Sequence, residues 1–99
     1  MDRVEIEAYS QATNAWVVRT PGRQFPALVL QGDSFSILFS HARAILERAR
    51  RGNPGDPELV DEAEELCDLL WTHLHHYEQT LAANGFDLPY NRIAWQPKS

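Results

Sequence analysis

His73-Leu74-His75-His76 is the stretch whose residue types come closest to a metal site. On a helix His73 and His76 lie three residues apart and share a face. Zinc takes three or four ligands, and the nearby Asp68 and Glu78 do not complete a clear set. The sequence has no His-Glu-x-x-His pair. One histidine therefore reads as packed beside Leu70 and Tyr77 and two as partly solvated. His73 and His76 are kept as metal candidates, and neither a bound metal nor a cofactor is expected.

Cys67 could act as a nucleophile if a histidine drew off its proton. His73 stands six residues on, on a different face of the same helix. His41 comes level with Cys67 only if two helices pair antiparallel. Beside Ala63, Leu70 and Trp71 the thiol reads as buried and inert. Glu62, Glu65 and Asp68 project along one side of a helix. Paired carboxylates do acid–base work only where the surroundings split their pKa values, so these read as a solvated face or as a docking surface for a basic protein. Arg43, Arg48, Arg50 and Arg51 could meet phosphate, but no Gly-rich loop or interleaved exposed aromatics accompany them. Helix capping and pairing with the acidic second helix explain them more simply. No catalytic residue is assigned.

The charge supports that reading. The formal charge is −5 over 99 residues. Residues 1–51 hold seven arginines against five acids, and residues 52–99 hold nine acids against Arg92 and Lys98. An acidic chain repels phosphate backbones, so nucleic acid is not an expected partner. No apolar run approaches the ~20 residues of a membrane span. The N-terminus has no apolar signal core. A single cysteine excludes an internal disulfide and fits a reducing cytoplasm.

The elements that would position these side chains begin with strands. Val4, Ile6 and Ala8 alternate with Arg3, Glu5 and Glu7, the period of two of a half-buried strand. Residues 9–14 read as a connection. Residues 15–20, with Trp16, Val17 and Val18, form a second strand, and Pro21-Gly22 marks a turn. Residues 27–31 form a third, apolar on successive residues and so read as covered on both faces. Short connections predict an antiparallel meander over 4–31.

Gly32 permits a sharp exit from the sheet, by positive φ or by a close backbone approach, and Asp33 or Ser34 caps the helix that follows. Phe35, Leu38, Ala42, Ile45 and Ala49, flanked by Phe39 and Leu46, form an apolar stripe on a helix over 34–51. Gly52-Asn53-Pro54-Gly55 breaks it. Asp56 caps and Pro57 opens a second helix over 57–84, with Ala63, Leu66, Leu70, Leu74, Tyr77 and Leu81 buried and Asn84-Gly85 as its stop. At 1.5 Å per residue it spans about 42 Å, long for a domain of this size, so part of it should overhang. The tail, 86–99, is too apolar to be disordered and should dock. Trp16, Trp71 and Trp95 read as core.

Two resemblances attach to these residues. Val17-Val18, Arg19-Thr20-Pro21-Gly22-Arg23-Gln24-Phe25-Pro26 and Gln31-Gly32-Asp33-Ser34, with His76-Tyr77-Glu78 and Leu88-Pro89-Tyr90, resemble a family of small bacterial proteins of unknown function. That resemblance covers most of the chain and implies no activity. Residues 4–51 also resemble the HicB antitoxin fold, on Gln31-Gly32-Asp33-Ser34 and the helical Ala42, Ala44 and Ile45. HicB proteins usually carry acids just after that turn, whereas this chain has Phe35-Ser36-Ile37. The resemblance implies a three-stranded sheet opening into a helix, and a binding role.

The expectation is one α+β domain, β-β-β-α-α with a docked tail. Its function would be that of a noncatalytic protein-binding module, antitoxin- or immunity-like. The alternative is a small enzyme or ligand-binding protein with a pocket between sheet and helices. A homodimer is expected, with Trp71, Leu74, Tyr77, Leu81, Tyr90 and Trp95 as interface candidates and no membrane partner.

Overall fold

The computed structural model describes residues 2–12, 15–52 and 55–97. Thr13 and Asn14 of the expected connection, Asn53 and Pro54 of the helix break, and the terminal Lys98 and Ser99 lie outside them. The element order is β1 (Glu7–Ser10), β2 (Trp16–Arg19), β3 (Ala27–Val29), α1 (Gly32–Arg51) and α2 (Pro57–Ala83). This is the expected α+β order, β-β-β-α-α. Length predicts one domain; within it the chain forms two compact units, residues 1–31 and 32–99.

The first unit is an antiparallel sheet of order β1-β2-β3. Trp16, Val17 and Val18 face Val29, Leu28 and Ala27, and Glu7 faces Arg19. The Arg19 guanidinium hydrogen-bonds the Glu7 carboxylate and holds it below the usual glutamate range. Being exposed, the pair fixes register more than it stabilises. An irregularity between Ala8 and Ser10 shifts the β1 register at Tyr9. Thr20 to Arg23 close a turn through Arg23 N–H to Thr20 C=O at 3.2 Å, with Gly22 at φ 78°. Proline then glycine at positive φ is type II chemistry.

The strands are shorter than alternation predicts, and residues 4–6 precede β1. Only Val18 is buried in the sheet; all three residues of β3 are exposed, contrary to a strand covered on both faces. A short apolar run has no period from which coverage can be read. Trp16, expected in the core, is 42% exposed.

The second unit is a helical hairpin with a docked tail. Arg50 pairs with Glu64 at 2.9 Å and Phe35 meets His73 edge to face at 6.0 Å, so α1 and α2 run antiparallel. Asp56 caps α2, its carboxylate accepting from Leu59 N–H at 3.2 Å, and Pro57 fills the first turn. Asn84 ends it, followed by Gly85 at φ 76° with Phe86 N–H bonded to Leu81 C=O at 2.9 Å. The core is Phe39, Ala42, Leu46, Ala63, Cys67 and Leu74. Each large side chain there contributes roughly 1.5–3 kcal/mol of burial.

The α1 core stripe is therefore Phe39, Ala42, Leu46 and Ala49, not the one through Leu38 and Ile45, which are 47% and 53% exposed. Leu66 on α2, also expected inside, is 46% exposed. Adjacent apolar stripes on one helix have the same period, and packing selects between them.

The helix start also differs. Helix α1 begins at Gly32, so Asp33 and Ser34 lie in its first turn rather than before it. Asp33 accepts from Ser34 N–H at 2.8 Å through its side chain and from the Ser36 hydroxyl at 2.6 Å through its carbonyl. It acts as a first-turn acid facing the helix dipole. Positive φ among the described glycines occurs at Gly22 and Gly85, not at Gly32. Gly32 is glycine because a β-carbon there would overlap the Tyr77 ring.

Candidate functional site

The C-terminal segment lies along one side of the hairpin and makes its most distinctive polar site. The Trp95 ring meets Phe39 edge to face at 5.5 Å, and its indole N–H donates to Asp68 at 2.8 Å. Tyr90 stacks near Tyr77 with ring centres 6.4 Å apart. The Glu78 carboxylate, only 3% exposed, accepts a long bond from Ile93 N–H at 3.4 Å. Beside it the buried Tyr90 hydroxyl makes no hydrogen bond of good geometry. Burial first, and the Glu78 carboxylate second, push that phenol well above the usual tyrosine range.

Between α1 and this segment runs a groove of about 450 Å³ lined by Ser36, Ser40, Arg43, Tyr90, Asn91 and Arg92. The Arg43 guanidinium sits over the Phe39 ring, 5.4 Å from its centre. The Ser36 and Ser40 hydroxyls donate to the carbonyls of Asp33 and Ser36. Their remaining lone pairs are acceptors.

The opposite side of the hairpin is apolar. Helical spacing puts Leu38 and Ile45 of α1 on it, with Leu59 and Leu66 of α2. Ile45 and Leu59 line one shallow hollow of about 300 Å³ together with Arg48, Ala49, Gly52 and Asp56.

The histidines are dispersed. His73 is exposed and edge-on to Phe35, His75 stacks on Trp71 at 4.4 Å, and His76 is exposed. Among the described residues no three potential ligands converge. Cys67 is fully buried, and burial, more than the neighbouring Asp68, pushes its thiol up. His41 and His73 are both exposed, whereas that thiol is buried. Glu62 and Glu65 are exposed, whereas the half-buried Asp68 anchors Trp95.

The interface candidates divide. Leu74, 1% exposed, belongs to the core. Trp71, Tyr77, Leu81, Tyr90 and Trp95 are half-buried. Trp71, Tyr90 and Trp95 pack against the hairpin core from its own chain. Sequence reasoning missed Arg92 and the paired serines, and weighed Glu78 only as a metal ligand. The signal for part of this was present: His76-Tyr77-Glu78 and Leu88-Pro89-Tyr90, two motifs far apart in sequence, converge at the Tyr77–Tyr90 stack.

Among the described residues no helix is long and apolar enough to cross a membrane. No curated protein and no solved structure matches the chain, and the HicB resemblance is without support. The pattern that spans the sheet, both helices and Tyr90, residues 1–90, is that of a family of unknown function (DUF6959), and the chain belongs to that family.

Proposed function

We propose that this chain is a noncatalytic binding module that pairs with a second copy of itself through the apolar face of the α1–α2 hairpin. The observation that carries this is the exposure of Leu38, Ile45, Leu59 and Leu66, between 46% and 53% each, on one side of two packed helices. Large apolar side chains left exposed together on one side of a helix pair mark an interaction surface. Its rim selects the occupant. Helical spacing sets Arg48 beside Ile45, and Glu62 beside Leu59 and Leu66. A two-fold axis parallel to the helices keeps each residue at its own height along the hairpin and lays α1 of one copy against α2 of the other. Arg48 lines the same hollow as Leu59, so it would meet Glu62 of the partner subunit at nearly the same level. The rim of the face is thus complementary to itself in charge, as a two-fold interface requires. The buried, proton-retaining Cys67 thiol supports a noncatalytic role and a reducing, cytoplasmic setting.

Sedimentation equilibrium at micromolar concentration should return twice the chain mass. Ile45→Glu with Leu66→Glu should return the single-chain mass while circular dichroism stays helical. A monomeric unmutated protein, or a variant that remains dimeric, would overturn the proposal.

A further inference from the structure

We infer that the groove between α1 and the C-terminal segment binds a small phosphorylated molecule that also carries hydroxyl groups. The chain has 14 acids and nine lysines and arginines, yet this groove is lined by two arginines and no acid. Arg43 and Arg92 make no ion pair among the described residues, unlike Arg19 and Arg50, which meet Glu7 and Glu64. The Arg43 guanidinium is held over the Phe39 ring, 5.4 Å from its centre, and its N–H groups are available for bonds to an oxyanion. Two guanidiniums match the nearly double charge of a phosphate monoester better than a single carboxylate.

The rest of the lining selects the remainder of the ligand. Ser36 and Ser40 have committed their hydroxyl protons to backbone carbonyls, at 2.6 and 3.1 Å. They therefore face a ligand as acceptors, which suits the hydroxyl donors of a polyol and not further phosphate oxygens. Asn91 lines the same groove and offers both a donor and an acceptor. At about 450 Å³ the groove falls in the size range of small-molecule sites. It lies across the hairpin from Leu38 and Ile45, so it stays open in the proposed dimer.

Titration followed by arginine Nε–Hε NMR signals tests this with inorganic phosphate, glucose 6-phosphate, glucose and citrate. Phosphate should shift the Arg43 and Arg92 signals saturably. Glucose 6-phosphate should bind at least about threefold tighter than phosphate, while glucose alone should not bind measurably. Arg43→Gln and Arg92→Gln should each weaken glucose 6-phosphate about tenfold, whereas Arg50→Gln, which removes an arginine outside the groove, should leave it unchanged. The Trp95 indole N–H signal in the same NMR spectra reports whether the segment remains docked in each variant. Linear shifts matched by sodium chloride at equal ionic strength would overturn the inference. So would citrate binding more tightly than glucose 6-phosphate, or equal weakening by Arg50→Gln.

Discussion

The Trp95 indole N–H donates to the Asp68 carboxylate at 2.8 Å across 27 residues of sequence. With the ring set edge-on against Phe39, this bond ties the last apolar side chain of the tail to both helices. A tail so anchored is a structural part of the hairpin rather than an appendage.

Trp95→Ala removes the ring contact and the bond together and should cost about 2 kcal/mol or more. Asp68→Ala removes the acceptor of the Trp95 bond but keeps the ring contact, leaving a half-buried N–H, and should cost about 1 kcal/mol. Urea unfolding of both variants should rank them in that order. Equal stability of Trp95→Ala and the unmutated protein would show that the tail contributes nothing.

The Gly32→Ala substitution adds a β-carbon where the Tyr77 ring already lies. The ring packs toward Tyr90, so moving it disturbs the tail as well. A loss of about 1 to 3 kcal/mol in thermal melting is expected, as for overpacking elsewhere. In a double-mutant cycle with Tyr77→Ala the two costs should be less than additive, since removing the ring removes the overlap. Strict additivity would place the effect of Gly32 elsewhere.

Local chemistry made the boundaries of α2 legible. Asp56-Pro57 and Asn84-Gly85 act on backbone groups within a few residues of themselves, and the structure uses them as written. The phase of α1 was not legible. Leu38 and Ile45 lie one position before Phe39 and Leu46, both pairs are apolar, and only Ala63, Cys67 and Leu74 on the facing helix decide which goes inside. At Gly32 a long-range neighbour, Tyr77, sets the demand for glycine, while a short-range reading credits the turn. In the candidate groove, the arginine at 43 was visible as a basic residue. Its companion at 92 and the two serines gain meaning only when the tail folds back, which no local periodicity encodes.

Cys67 should resist modification in the folded chain. It is fully buried, and its raised thiol pKa leaves little thiolate at neutral pH. A colourless-to-yellow disulfide reagent such as Ellman's should react with one equivalent only after urea is added. Rapid stoichiometric reaction without denaturant would mean that the α1–α2 core opens readily.

Tyr90 carries the pH dependence that this fold predicts most directly. Its hydroxyl is buried without a well-formed hydrogen bond, next to the buried Glu78 carboxylate. Burial and that carboxylate both disfavour the phenolate, so the folded-state pKa is raised above the unfolded value near 10. The sign follows from linkage. Below about pH 10 the phenol is neutral in both states and its contribution to stability is constant. Above it the unfolded chain loses the Tyr90 proton while the folded chain keeps it, so stability falls as pH rises toward the folded pKa. Tyr90→Phe removes the titrating group together with a buried hydroxyl that lacks a good partner. The variant should be as stable as the unmutated protein at neutral pH, or more so, and should lose less stability between about pH 9 and pH 11. Urea midpoints measured across that range check both halves. A clear loss of stability in Tyr90→Phe at neutral pH would mean that the hydroxyl donates to Glu78 in solution, and the alkaline slope would then have to be reassigned to the strength of that bond.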